Sequence, residues 1–342
     1  MVFITEHEAV GLSAPNPRTA QNPSVANVVG VLAREHALLA PDEARPLRIV
    51  WIDATGIAVV HLLALLAFIP WLFSWTAVIV AFAGLFVFGM LGISLCYHRL
   101  LTHRGFVCPK WLEHTLAVLG LCSMQDTPAR WVAIHRHHHA HADEEPDPHS
   151  PMVNFLWAHM GWLVLRNRET SRLRVTTKYA KDLLRDPFYA WLERKFHWVW
   201  IVLASWAIFF LAGFASQLIV GNGIGDALQF GLSLLVWGVF VRTVVVWHVT
   251  WSVNSVTHLW GYRNFNTDDT SRNNLIVGFL ANGEGWHNNH HADPRSARHG
   301  LRWWELDLTW LTIRLLAALG LARRVISPSQ SRAAKDSGSG IP

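Results

Sequence analysis

The sequence predicts an all-α integral membrane protein: four transmembrane helices in two hairpins, with a cytosolic helical cap that holds a His-rich metal site. Three observations lead there. Residues 49–73, 75–97, 198–220 and 228–251 are apolar runs, each near the roughly 20 residues a helix needs to cross a bilayer. The chain has 20 histidines, and many of them cluster beside those runs rather than scattering. The two short turns between paired runs carry no Lys or Arg, whereas the loop from 97 to 197 carries 14. That bias puts the N-terminus, the central loop and the C-terminal region on the cytoplasmic side.

Composition agrees. Half of the 342 residues are hydrophobic and 19 are Trp, a side chain that anchors at membrane interfaces. The net charge of +5 would suit nucleic acid on a soluble protein. Here the basic residues flank apolar spans, so lipid headgroups explain them and no nucleic-acid partner is expected. Cys96, Cys108 and Cys122 form no CxxC pair and no even set, which argues against a thiolate zinc site or a disulfide scaffold. The first 20 residues lack the charged start and apolar core of a cleavable signal.

Residues 1–45 read as a mobile cytoplasmic tail with one short helix near 25–39, and residues 46–325 as the membrane domain. In the first span, Asp53 lies near one end and His61 within; a lone neutral His there is read as packed on a neighbouring helix. The second span runs straight into His98-Arg-Leu-Leu-Thr-His103. Residues five apart lie about 140° apart on an α-helix, so His98 and His103 reach one metal only if the helix end loosens, or else serve two. Residues 111–124 and 152–165 are apolar but too short to span, and are read as re-entrant or interfacial helices. Residues 166–197 read as charged helix. Arg242 and His248 lie in or near the end of the fourth span, where the Arg can snorkel or pair. Residues 326–342 read as a disordered tail.

The central cluster is His135-Arg-His-His138-His139. On a helix, His135, His138 and His139 fall at i, i+3 and i+4 and share a face. The same spacing returns in His287, His290 and His291, and Asn254 and His258 are i and i+4. Neutral imidazole suits zinc, copper or iron. The candidate ligands are therefore His98, His103, His135, His138, His139, His258, His287, His290 and His291, with Asn254 a weaker tenth. Zinc takes about four ligands, so nine imidazoles suit two ions better than one. Each should find an orienting acceptor, and Asp143, Glu144, Glu145, Asp147, Asp268, Asp269 and Glu284 are available without a pairing legible from the sequence. His114, His149, His159, His197 and His299 are left as surface or supporting groups.

The segments His98–His103, His135–His139, Asn254–Tyr262 and Gly283–His291 resemble the boxes of membrane fatty acyl desaturases, nearest to the stearoyl-CoA Δ9 type in its bacterial or cyanobacterial form. The resemblance covers roughly residues 45–320 in the right order. It implies that the nine histidines hold two irons, that Asn254 approaches one of them through water, and that dioxygen is the co-substrate. The function implied is insertion of a cis double bond, at Δ9, into a long-chain acyl thioester or acyl lipid. A membrane hydroxylase or ketolase, or a non-enzymatic metal-binding or transport protein, are the alternatives. Residues 133 and 134, where animal acyl-CoA enzymes carry Arg-Asp, are Ala133 and Ile134 here, which turns the carrier towards glycerolipid. Electrons are expected from a separate protein such as a ferredoxin, rubredoxin or cytochrome b5-type donor with its reductase, and the location is expected to be a bacterial inner membrane.

The acyl chain should run down between spans. Phe82, Phe86 and Met90 lie at i, i+4 and i+8 of the second span. Phe86 is roughly 18 Å along a helix from His98, a suitable depth for a tunnel floor. Trp131 and Trp251 are further candidate substrate contacts. Arg130, Arg166, Arg168, Arg172, Arg174 and Lys178 are available to phosphates.

Overall fold

The computed structural model describes residues 40–328. The short helix expected near 25–39, the rest of the N-terminal tail up to residue 39, and residues 329–342 lie outside the described residues. Among the described residues there is no strand, only isolated bridges such as Ile49 with Leu165.

Among the described residues, four helices are long and apolar enough to cross a membrane: α1 (Trp51–Phe68), α2 (Trp75–Thr102), and two later ones, His197–Ile219 and Ile224–Leu259. Between the two pairs come α3 (Lys110–Leu121), α4 (Pro128–Ala140), α5 (a π-wound turn, Trp157–Gly161, continued by Trp162–Val164), α6 (Arg172–Tyr179), α7 (Lys181–Leu184) and α8 (Pro187–Leu192). We number the second pair α9 (His197–Ile219) and α10 (Ile224–Leu259). The C-terminal part adds α11 (Leu275–Leu280), α12 (His287–Ala292) and α13 (Leu308–Ala318). α1 and α9 are apolar on all sides and almost unburied; a helix of that kind needs an apolar surrounding. The chain is a membrane protein.

Local chemistry sets the boundaries. Ser74 caps α2 by accepting from the Ala77 amide, Asn274 caps α11 through Val277, and Asp307 caps α13 through Trp310. Pro128 and Pro187 open α4 and α8 at the first turn, where a missing N–H costs nothing. α10 is the hub: it lies along α9 and packs on both α1 and α2. A Cβ on Gly213 would stand 2.9 Å from Gly231 Cα, so small residues let the backbones of α9 and α10 approach closely.

Two features depart from simple spans. α10 continues without a break past residue 251 to Leu259, carrying Asn254 and His258 out of the apolar section on one rigid element. α2 is α-helical only to Gly84 and π-wound from Leu85 to Thr102. π-winding is rare and gathers at functional sites. Arg242 neither snorkels nor meets a carboxylate: it is buried, stacks 3.8 Å above the Phe88 ring and donates to the Cys122 carbonyl and the Thr243 hydroxyl.

α3 packs on the π-wound part of α2 through Gly92 and Gly120. A Cβ on Gly92 would overlap the Gly120 backbone, and one on Gly120 would overlap the Tyr97 ring. Backbone cannot swing aside as a side chain can. Gly92→Val is therefore expected to destabilise the fold by about 2 kcal/mol or more, read as a lower melting temperature in detergent, while Gly56→Val, with open space around it, should leave melting nearly unchanged.

Candidate metal centre

The nine histidines arrive from four elements. His98 lies in the last turn of the π-wound section of α2 and His103 follows that section directly; His135, His138 and His139 lie on α4, His258 near the end of α10, and His287, His290 and His291 on α12. The His103 amide donates to the His98 carbonyl at 3.1 Å, an i→i+5 bond. That winding brings residues five apart onto one face, so both imidazoles enter a single group. The helix end has loosened, and a second ion is not needed to explain this pair.

All nine are brought together, in two groups. His98, His103, His135, His139 and His290 form one, and His138, His258, His287 and His291 the other, with ligand atoms inside each group within 4.8 Å of one another. Each i, i+3, i+4 triad is divided rather than devoted to one ion. On α4, His135 and His139 face the first group and His138 the second; on α12, His290 faces the first and His287 and His291 the second. Asn254 lies one turn before His258 and lines the adjoining cavity.

Four carboxylates orient four of the rings. Nδ1 of His98 donates to Glu284 at 2.6 Å, His138 to Asp147 at 2.9 Å, His291 to Asp269 at 2.6 Å and His258 to Asp143 at 3.3 Å. Each donation fixes the tautomer and leaves Nε2 as an inward lone pair. These inward atoms crowd each other. His98 Nε2 is 3.1 Å from His290 Nε2, His139 Nε2 is 3.0 Å from His290 Nε2, and His258 Nε2 is 3.0 Å from His287 Nε2. Nε2 of His103 and of His291 are buried without a hydrogen-bond partner. Burial first, and then neighbouring imidazoles, push His103, His135, His139, His287 and His290 well below the ordinary histidine range, so they are neutral. His138 alone is raised: burial works against its charge, but Asp147 outweighs it. Opposed lone pairs in a buried site call for a cation between them, and a set of neutral imidazoles fits a borderline transition metal.

Three supporting groups stand behind the rings; the sequence reading left His149 and His299 among the surface or supporting histidines and did not single out Arg99. Arg99, fully buried, holds Glu284 at 2.9 Å and Asp307 at 2.9 Å. His299 packs 4.5 Å from His290, with Nδ1 3.2 Å from Glu284. His149 packs 4.4 Å from His138. None has a spacing that marks it; only the folded contacts do.

A cavity of about 890 Å³ opens beside the first group, with His98 and His135 in its wall. Its depth is apolar, lined by Leu85, Gly89, Ile93, Leu121, Val246 and Val249, and its sides include Trp131, Trp247 and Trp251. Its mouth carries Arg130, Arg166, Arg168, Arg172 and Arg174, with Asp53 and Asp126. The expected floor residues fall elsewhere. Phe82 is 62% exposed, and Phe86 and Met90 line a separate groove against α13. The face of α2 that meets the cavity is Leu85, Gly89, Ile93 and Ser94; Leu85, Gly89 and Ile93 repeat the i, i+4, i+8 spacing of Phe82, Phe86 and Met90 three residues further on, so the stripe that turns inward is the neighbouring one.

Imidazoles gathered in two groups that could hold metal, beside an apolar cavity and next to membrane-length helices, define a membrane protein of the histidine-cluster class. The chain belongs to the fatty acid desaturase family, which residues 73–325 match. It is 42% identical over 290 residues to an sn-2 palmitoyl-lipid 9-desaturase of Nostoc sp. (strain 36), covering 84% of this chain and 94% of that one. It is 44% identical over 275 residues to an sn-1 stearoyl-lipid 9-desaturase of Anabaena variabilis, covering 80% and 93%. An icosanoyl-CoA 5-desaturase of Limnanthes douglasii is 40% identical over 284 residues, covering 83% and 74%. The protein is thus an oxidoreductase, a fatty acyl desaturase. The hydroxylase, ketolase and transport readings find no support in these relatives.

Proposed function

We propose that the two histidine groups hold two iron ions, with Asn254 beside the second, and that the chain inserts a cis Δ9 double bond into a long acyl chain carried on a membrane glycerolipid. The observation that carries this reading is the cavity: an apolar chamber has group-one imidazoles in its wall and a basic mouth. When bound, the irons supply the activation of dioxygen that removing hydrogen from two unactivated methylenes demands. The chain's residues do the rest. Glu284, Asp147, Asp143 and Asp269 hold the ligand rings, the indoles of Trp131 and Trp251 confine the acyl chain, and the apolar depth keeps water away.

The carrier follows from the mouth. Ala133 and Ile134 are buried, and Ile134 lines the cavity, so that position offers nothing to a CoA group. The arginines sit where a glycerolipid head would lie. The Nostoc and Anabaena relatives act, by name, on acyl lipids. On this reading the active site faces the cytoplasm, the termini lie on the same side, and a separate ferredoxin, rubredoxin or cytochrome b5-type protein brings the electrons.

Expression in a bacterial host, with gas chromatography of its lipids and metal analysis of the purified chain, tests the reading. A new Δ9 monoene with about two irons per chain is expected; a hydroxy acid, or a chain without iron, would sink it. Labelled acyl-CoA and labelled phospholipid offered in parallel to membranes decide the carrier. The cavity face of α2 makes a further prediction. Leu85→Trp should shift product towards shorter acyl chains, whereas Phe86→Ala should leave the chain-length profile as it was.

A further inference from the structure

Three histidines outside the metal groups form a continuous chain among the helices. His61 Nδ1 on α1 is 2.8 Å from the Ile57 carbonyl. Its Nε2 is 3.1 Å from Nε2 of His248 on α10. His248 Nδ1 is 3.0 Å from Nε2 of His159 on α5, and His159 Nδ1 is 3.0 Å from Ser255 Oγ. Ionisable side chains at such depth are costly and are kept for a function.

The hydrogen-bond inventory yields one neutral arrangement that satisfies all four contacts. A carbonyl can only accept, so His61 Nδ1 carries that ring's proton. His61 Nε2 then accepts from His248 Nε2–H, His248 Nδ1 accepts from His159 Nε2–H, and His159 Nδ1 accepts from the Ser255 hydroxyl. That hydroxyl has the Trp251 carbonyl, at 2.9 Å, as its alternative acceptor. Every ring donates once and accepts once, so the chain needs no charge to be complete in a low-dielectric bundle. Burial also pushes His159 below its ordinary range, in the same direction.

The chain backs one wall of the cavity. Trp247 and Trp251 stack at 5.6 Å, and both line the cavity. His61 packs 5.7 Å from Trp247, His248 5.1 Å from Trp251 and His159 5.7 Å from Trp251. The same three histidines tie together α1, α10 and α5, and residues on or next to each of these elements form other parts of the cavity, such as Ile57, Val249 and Trp162. Neighbouring carbons of an extended acyl chain differ by about 1 Å in position, and misplacement on that scale can change a rate ~100-fold.

We propose that His61, His248 and His159 are positioning residues that set which pair of methylenes lies opposite His98 and His135, by clamping the Trp247–Trp251 wall from behind. The proposal rests on the desaturase reading above. It makes double-bond position, rather than metal binding, the property that the three imidazoles control.

His248→Leu and His61→Leu break the chain from opposite helices, and His248→Gln keeps a donor and an acceptor. Each is expressed as the full chain in a lipid-producing host, and double-bond positions in the extracted fatty acids are read by mass spectrometry beside iron content. Both Leu variants should keep the parent iron content and yield a displaced positional isomer as roughly a tenth or more of the monoene, the share left by a tenfold preference. His248→Gln should return the product towards the parent isomer. The inference is overturned if either folded Leu variant makes the parent isomer alone, or if iron and product are lost together in both, since the chain would then merely support the centre. An unsubstituted chain that makes no monoene sinks the desaturase reading and this inference with it; an active parent with unmoved isomers sinks this inference only.

Discussion

Replacing His290 by alanine is expected to abolish monoene formation, by well over ~100-fold, and, on the two-iron reading proposed above, to remove about one of the two irons. His290 is the ring on which the first group converges: its Nε2 lies 3.1 Å from that of His98 and 3.0 Å from that of His139. Removing it takes away a ligand nitrogen and opens a hole beside His98 and His135, which are themselves buried. His138→Ala should do the same to the second group, since His138 closes the set of His258, His287 and His291. Lipid gas chromatography and metal analysis on each purified variant check both. Undiminished product from either one would mean that these imidazoles do not form the reacting centre.

The second large effect belongs to a residue that is not a ligand candidate. Glu284 accepts from His98 Nδ1 at 2.6 Å, pairs with Arg99 at 2.9 Å, and faces His299 at 3.2 Å. Arg99 is entirely buried and shares its charge between Glu284 and Asp307. Glu284→Gln keeps the shape but leaves half of that charge uncompensated. Breaking a buried pair in this way costs about 3–5 kcal/mol, and loss of the acceptor behind a ligand ring costs metal affinity about 10–100-fold. The expected result is lower melting together with loss of iron, most of it from the first group. Arg99→Lys should act in the same direction, because a lysine cannot span Glu284, Asp307 and the Ala297 carbonyl at once. Normal melting and full iron in Glu284→Gln would show that the carboxylate is not what holds His98.

The histidines were legible because their spacing is local. His135, His138 and His139, and again His287, His290 and His291, declare a shared face within five residues, and their place beside apolar runs declares a membrane site. The floor of the cavity was not legible. Phe82, Phe86 and Met90 share an i, i+4, i+8 stripe, but so do Leu85, Gly89 and Ile93, and it is the second stripe that lines the cavity. Nothing in Leu-Phe-Val-Phe-Gly-Met announces which of the two stripes meets the other spans. His61 shows the same limit. Its residue type suggested only a packed histidine, whereas its role as one end of a three-ring chain depends on His248, 187 positions away.

Apolar length, the side of the membrane that basic residues favour, and the identity of the clustered imidazoles are properties of single segments, so the order of residues was enough to establish four spans and a histidine site. How the imidazoles divide five and four, which carboxylate stands behind which ring, and which face of α2 meets the cavity are relations between segments far apart in the chain. Such relations come from packing and from winding that yields to packing, and they exist only once the helices have met.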